Sequence, residues 1–155
     1  MGCNGGWLPV AWQYLQSHGI PTLACDPYTS GNGNSGTCKA NCSNGSKPTF
    51  YKADNLGALD DPNAIQLEIM KGGPVETAFT VYQDFFSYKS GIYVHRSGGV
   101  AGGHAVKIIG WGEQGSTKYW IVANSWGASW GMDGFFWIEF GQCGIDTDAY
   151  AGDAA

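Results

Sequence analysis

Positive charge is scarce in this chain. Eight Lys and Arg stand against thirteen Asp and Glu, for a formal net charge of −5, and the cations nowhere gather into a run. Nucleic acid and anionic membrane surfaces, which are held through clustered positive charge, are thereby excluded as partners. Long apolar runs are also missing: none approaches the roughly 20 residues that a helix needs to cross a bilayer. The first residues form neither a signal peptide nor a charged transit segment, so the chain as it stands carries no address. No internal repeat or low-complexity tract appears, and the nearest thing to a domain boundary is the Gly/Asn/Ser loop near residues 30–46.

What is present is glycine and aromatic rings. Twenty-five glycines and seven tryptophans in a chain with 43% hydrophobic residues describe a compact, loop-rich globular protein. Its 155 residues suffice for one domain and its core. Five cysteines is an odd number, which in a secreted protein leaves at least one thiol unpaired or paired outside the chain. Two N-x-S sequences follow one another at Asn41 and Asn44 and mark an exposed loop if the protein takes the secretory route.

The chemistry gathers where two apolar runs meet. Ala105-Val106-Lys107-Ile108-Ile109-Gly110-Trp111 follows His104, and Tyr119-Trp120-Ile121-Val122-Ala123 precedes Asn124. Both runs are short and rich in β-branched and aromatic residues, which predicts two strands joined through the polar turn Glu113-Gln114-Gly115-Ser116. Folding that hairpin about Gln114 makes residue i face residue 228 minus i, so that His104 lies opposite Asn124. Directly opposed residues sit roughly 5 Å apart at Cβ, near enough for an imidazole and an amide to hydrogen-bond. An imidazole held this way keeps one nitrogen protonated toward the amide and offers the other to a nucleophile. Cys-His-Asn is a recurring form of the nucleophile triad. By themselves the two residues also read as a satisfied strand histidine and a turn residue. The surroundings add weight to the chemical reading: Gly102-Gly103 leave room for a backbone or ligand, and Trp126 and Trp130 are each followed by glycine.

Gly102-Gly103-His104-Ala105 and Asn124-Ser125-Trp126-Gly127 through Gly131 resemble the histidine and asparagine motifs of the papain-like cysteine peptidases. Cys3-Asn4-Gly5-Gly6, Gly73-Pro74-Val75-Glu76, Tyr88-Lys89-Ser90-Gly91-Ile92-Tyr93 and Cys143-Gly144-Ile145 extend the resemblance to the cathepsin B branch, over nearly the whole chain. The resemblance implies an α+β, papain-like two-lobed fold. Residues 1–45 would be the end of a helical left lobe with a disulfide-rich loop, and residues 46–155 an antiparallel, barrel-like right lobe. It further implies His104 and Asn124 as catalytic residues. Gly5, Gly6, Leu8, Ala78, Gly103, Ala105, Trp126 and Asp148 would line the substrate site. Among these, Gly5 and Gly6 would let an extended peptide pair with the backbone. Asp148 would floor the pocket for the second residue before the scissile bond, with Leu8, Ala78 and Ala105 as its apolar walls. Read without the family, the Gly pair is a turn before a helix and Asp148 a solvated carboxylate.

Trp7, Val10, Ala11, Tyr14 and Leu15 recur at three and four spacing, predicting a helix within Gly5 to Gly19 that packs on another lobe. A second helix is expected from Asp61 to Lys71, opened by Asp61-Pro62 and stopped at Gly72-Gly73-Pro74. Strands are expected over Pro74 to Val81, the aromatic stretch Tyr82 to Tyr88, Gly91 to His95, the hairpin, and Gly134 to Phe140. Between the helices, the loop from Cys25 to Ser46 has almost no apolar content and cannot hold its shape by burial, which calls for cross-linking. A zinc site using Cys25, Cys38 and Cys42 would need a fourth ligand, and no histidine lies between Cys25 and Cys42. The family resemblance pairs Cys25 with Cys42, matches Cys3 and Cys38 to cysteines with partners upstream, and leaves Cys143 free. It implies no metal and no cofactor.

The reactive cysteine of papain-type enzymes lies in a C-G-[SA]-C-[WY] signature about 130 to 150 residues before the histidine. Counting back from His104 places it before residue 1, together with the family's oxyanion-hole glutamine. Cys3 precedes a helix, whose N-terminus can lower a thiol pKa, but its context Gly2-Cys3-Asn4-Gly5-Gly6 lacks the signature. The reading is therefore the C-terminal part of a cathepsin B-like cysteine endopeptidase whose nucleophile sits on a missing upstream segment. Such a chain is inactive alone, and its partners are that segment, protein or peptide substrates, and protein inhibitors of the cleft. The alternatives are a non-catalytic relative that binds peptides or partners, and a structural fragment. The resemblance, more than the cysteines and acidic character, implies a lysosome-like, vacuolar or secreted location. Cathepsin B relatives that trim C-terminal dipeptides hold the substrate's terminal carboxylate with a paired-histidine loop; between Cys25 and Cys38 this chain has no Lys, Arg or His, so the resemblance implies an endopeptidase rather than a carboxydipeptidase.

Overall fold

The computed structural model describes Met1–Ala155. The chain divides into two compact units, Met1–Leu56 with Gly152–Ala155, and Gly57–Ala151. The first is organised on helix α1, Leu8–Ser17, which begins three residues after Gly5 because Trp7 is extended at its N-cap. Gly19 ends it at φ 79°, and a Cβ there would lie 2.7 Å from the Tyr51 carbonyl. This close approach accompanies an antiparallel bridge between Ile20 and Tyr51, with both hydrogen bonds at 2.9 Å. Lys52 Nζ also donates to the Ser17 carbonyl. These ties bring residues beyond 45 into the first unit, so the contact boundary falls after Leu56. No apolar side chain of residues 1–56 is buried, and Trp7, Val10 and Tyr14 of the α1 stripe stand 72%, 61% and 52% exposed. Burial therefore cannot hold this unit, and a Cys25–Cys42 disulfide closes its loop.

The second unit contains the core. Helix α2, Pro62–Lys71, is capped by Asp61, whose carboxylate accepts from the Ala64 N–H at 3.0 Å, and it buries Ile65 completely. The strands are β1 Ala53–Leu59, β2 Val75–Tyr82, β3 Ile92–Tyr93, β4 Val100–Gln114, β5 Thr117–Ala123, β6 Phe135–Glu139 and β7 Ala149–Ala154. They form one sheet in the order β1-β7-β2-β4-β5-β6-β3, in which the β2–β7, β2–β4, β4–β5 and β5–β6 pairs are antiparallel and the β3–β6 pair is parallel. Strand β2 alternates strictly, burying Val75, Thr77, Phe79 and Val81. Strands β4, β5 and β6 supply Val106 and Ile108, Trp120 and Val122, and Phe136 and Ile138 to the same core.

The sheet is open, so the expected barrel-like closure is corrected. Residues Gln83–Ser87 are a turn of 3-10 helix rather than a strand, because Phe85 is driven into the core while Phe86 stays exposed. The β4–β5 register also differs from the expected one. The loop is the two residues Gly115-Ser116, Gln114 pairs with Thr117, and an irregularity between Ile108 and Gly110 shifts the ladder by one before Lys107 meets Ala123. The β4–β5 ladder ends at that pair, so His104 has no ladder partner in Asn124; on the other side of β4 it pairs with Phe79 of β2.

Candidate functional site

Strand β4 carries His104 on the same face as the buried Val106 and Ile108, opposite Phe79. Asn124 follows the last residue of β5, where its own N–H donates to the Gly134 carbonyl at 3.0 Å. The two side chains meet although they are not ladder partners: His104 Nε2 and Asn124 Oδ1 are 2.8 Å apart. The same oxygen accepts from the Ser125 N–H at 2.8 Å, so two donors fix the orientation of the amide. With Nε2 donating, Nδ1 of His104 is the nitrogen left to exchange a proton. Asn124 Nδ2 is buried and has no hydrogen-bond partner.

An aromatic wall backs this pair. Trp126 stacks on the His104 ring at a centroid distance of 5.1 Å, with Phe86 stacked against Trp126 at 5.4 Å. Phe85, fully buried, lies between 4.9 and 5.5 Å from Phe136, Trp130, Tyr93, Phe79 and Trp126. Trp130 Nε1 donates to the Phe86 carbonyl, and Gly131 at φ 60° allows the turn after it, since a Cβ would meet the Phe135 carbonyl at 2.6 Å. The tryptophans thus hold the Asn124 turn against β4 and cover one side of the imidazole.

The remaining expected residues are placed as follows. Ala78 and Ala105 are paired across β2 and β4, and the Asp148 carbonyl accepts from the Ala78 N–H at 3.2 Å, so these three lie together. Asp148 is exposed, while the buried carboxylate of this segment is Asp146, bound to Trp120 Nε1 and the Gly141 N–H. Gly103 has open space where a side chain would stand. Gly5, Gly6 and Leu8 belong to the first unit, where both glycines are exposed with no atom near a notional Cβ. Cys25 and Cys42 are joined, and Cys3, Cys38 and Cys143 are free. Burial, and secondarily the Asp84 charge, pushes the Cys143 thiol up to about 11, which keeps it protonated and unreactive.

One cluster escaped the sequence reading. Asp84 accepts from Tyr93 OH at 2.6 Å, His95 Nδ1 at 3.1 Å, and the Arg96 and Ser97 N–H groups at 2.8 and 3.0 Å. Residues 95–97 are thereby fastened just before β4 and its histidine. Nothing in the periodicity marks Asp84, which lies inside the aromatic stretch Tyr82 to Tyr88 that was expected among the strands. Burial alone would raise its pKa, but the donors, Tyr93 and the two N–H groups foremost, outweigh it and hold the carboxyl well below the usual range. A depressed pKa means the folded state binds the proton less readily, so the stabilisation is full above the unfolded value of about 4 and is lost as pH falls below it. Asp84→Asn is expected to destabilise by about 2–4 kcal/mol at neutral pH. Thermal unfolding of the complete protein at pH 7 and pH 3 checks this: the variant should show a smaller gap between the two midpoints, and an unchanged gap would remove Asp84 from the acid response.

The model of the papain family cysteine protease matches residues 1–152. "Cathepsin B-like CP3" of Giardia intestinalis is 46% identical, over 98% of this chain and 53% of its own length. "Cathepsin B-like protease 1" of Arabidopsis thaliana is 42% identical, over 97% of the chain and 44% of its own length. Among solved structures, procathepsin B S9 from Trypanosoma congolense superposes with a TM-score of 0.92 at 38% identity, covering 99% of this chain and 55% of that one. Bromelain from Ananas comosus, in complex with the E64 inhibitor, gives a TM-score of 0.79 at 30% identity, covering 100% and 73%. The chain spans about half the length of the curated relatives it matches.

Proposed function

Since the chain belongs to the papain family of cysteine proteases, we propose that it is the C-terminal part of a cathepsin B-like cysteine endopeptidase whose nucleophilic cysteine resides on an upstream segment. The observation that carries the reading is the 2.8 Å bond from His104 Nε2 to Asn124 Oδ1, under Trp126, which prepares Nδ1 for a thiol. A module that only bound peptides would have no physical need for an oriented base. In the complete enzyme His104 takes the thiol proton as the sulfur attacks the scissile carbonyl. It then returns that proton to the leaving amine, giving an acyl-thioester that water hydrolyses. Asn124 keeps the imidazole in the productive tautomer and Trp126 shields their bond from water.

In this reading residues 1–45 finish the helical left lobe and 46–155 form the right lobe. Gly103, with open space where a side chain would stand, offers backbone to an extended peptide; in the first unit, taken by itself, Gly5 and Gly6 have the same open backbone. Partners are peptide substrates, the upstream segment, and protein inhibitors that occupy the cleft; the location is lysosome-like, vacuolar or secreted. No helix is long and apolar enough to cross a membrane. The test is hydrolysis of internally quenched peptides by the chain joined to its upstream segment. Cleavage abolished by thiol alkylation, and indifferent to amidation of the substrate's C-terminus, is expected. Release of C-terminal dipeptides, lost on amidation, would overturn the endopeptidase assignment. A serine or glycine encoded at the upstream cysteine position would overturn the catalytic one.

Asp148 gives the specificity expectation. It is exposed, its backbone carbonyl accepts from the N–H of Ala78, which pairs with Ala105, and its carboxylate is hydrogen-bonded to the Tyr150 side chain. Substrates with Arg two residues before the scissile bond should be accepted alongside apolar ones. Asp148→Ala should lower kcat/KM for the Arg series by about 10-fold or more, on the scale of a charge-assisted hydrogen bond, and leave the apolar series unchanged. Equal loss in both series, or in neither, would remove Asp148 from the pocket.

A further inference from the structure

The two N-x-S sequences stand in opposite structural situations, although both asparagines are exposed. In the first, Asn41-Cys42-Ser43, the middle residue is bonded to Cys25 through sulfur. Its serine is committed too: the Ser43 N–H donates to the Cys25 carbonyl at 2.8 Å and its hydroxyl to the Ala24 carbonyl at 3.1 Å. Folding therefore stitches this tripeptide to residues 24 and 25 and takes the hydroxyl away from any outside group.

The second, Asn44-Gly45-Ser46, needs nothing outside its own loop. Asn44 Oδ1 accepts from the Ser46 N–H at 3.0 Å and from the Ser46 hydroxyl at 2.7 Å. The Gly45 N–H bonds the Cys42 carbonyl and the Cys42 N–H the Ser46 carbonyl, at 2.8 and 2.9 Å. Gly45 takes φ 83° with no atom within 4 Å of a notional Cβ, so the turn is unstrained and open. All these bonds are local, so the turn can form before the rest of the unit does. Donation into Oδ1 polarises the amide and makes Nδ2–H easier to deprotonate.

We propose that Asn44, and not Asn41, is an N-linked glycan acceptor. Nδ2 of Asn44 forms a bond to the anomeric carbon of a lipid-diphosphate-linked oligosaccharide as that carbon's bond to the diphosphate oxygen breaks. The lipid diphosphate departs with the electron pair, and Nδ2 gives up one proton to a base of the transferring enzyme; no electrons are exchanged. The inference rests on the secretory part of the proposed location.

The test is expression of the chain behind an endoplasmic-reticulum leader, alone and joined to its upstream segment, in a glycosylating eukaryotic cell. The leader supplies entry whatever the natural location, so failure of the location reading is distinguished from failure at the acceptor. Intact mass and an amidase that converts the glycosylated asparagine to aspartate locate the glycan. One glycan is expected, present in Asn41→Gln and Ser43→Ala and absent in Asn44→Gln and Ser46→Ala. A glycan on Asn41, glycans on both, or unmodified protein that has nonetheless formed Cys25–Cys42 would each overturn the proposal. Chain that does not form the disulfide is read by the same criterion on the joined protein.

Discussion

Replacing His104 by Ala in the complete protein is expected to cut peptide hydrolysis by about 10² to 10⁴-fold or more, because proton transfer by a placed side chain contributes on that scale. The loss should fall on kcat, with assembly intact, since the imidazole is half-buried at a sheet position and its ring contributes little to the core. The 155-residue chain alone is expected to show no activity at all. Cys143 is kept protonated by burial, and Cys3 and Cys38 lie in a unit without a buried apolar side chain. The exposed α1 stripe and the free thiols also favour aggregation of the isolated chain. Adding the upstream segment under oxidising conditions should restore structure and an alkylation-sensitive activity, which His104→Ala then removes. Hydrolysis by the isolated chain that stops on alkylation of Cys3 would sink this account and make Cys3 the nucleophile.

Phe85→Ala should be the most damaging single change outside the catalytic pair. The ring is fully buried and edge-on to Tyr93, Trp126 and Phe136, so its removal leaves a cavity where five aromatic rings meet. Large-to-small changes of this kind cost about 3–5 kcal/mol, a large share of the stability of a single domain. Trp126 loses its edge-on support and with it the fixed stack on His104. Thermal unfolding and kcat of the complete enzyme should fall together, and Phe85→Leu, which keeps most of the volume, should recover much of both. A variant with normal stability and reduced kcat would place Phe85 in the chemistry rather than in the packing.

The strands that the sequence announced are β2, β4, β5 and β6, with β-branched and aromatic residues on two faces, and the two-residue β3 within Gly91 to His95. Strands β1 and β7, with sequences ADNLGAL and AYAGDA, went unread because Gly, Asp and Ala carry neither a period nor a strand preference, and pairing alone holds them extended. Helix α2 was legible from Asp61-Pro62, whose cap the structure contains. At the site, the meeting of His104 and Asn124 was legible while its geometry was not. The irregularity near Ile109 leaves no mark in composition, and the turn was centred on Gln114 instead of Gly115-Ser116. Asp84 was invisible for a different reason: a carboxylate held by backbone N–H groups is recognised only once the loop that supplies them has folded.

Strand β7 is the last of the seven in sequence, yet it takes an interior place beside β2, pairing Tyr150 with Glu76 and Ala149 with Thr77. The ribosome thus finishes β2 about 70 residues before its neighbour exists, a delay of roughly 4 to 15 s at ordinary synthesis rates. Until β4 is made β2 has neither neighbour, and from then until β7 is made it presents one unpaired edge, alternating and apolar on its inner face, a template for any other extended chain. The sheet can therefore be completed on this side of β2 only by its last-made strand, and a chain that stops short of β7 leaves that edge open.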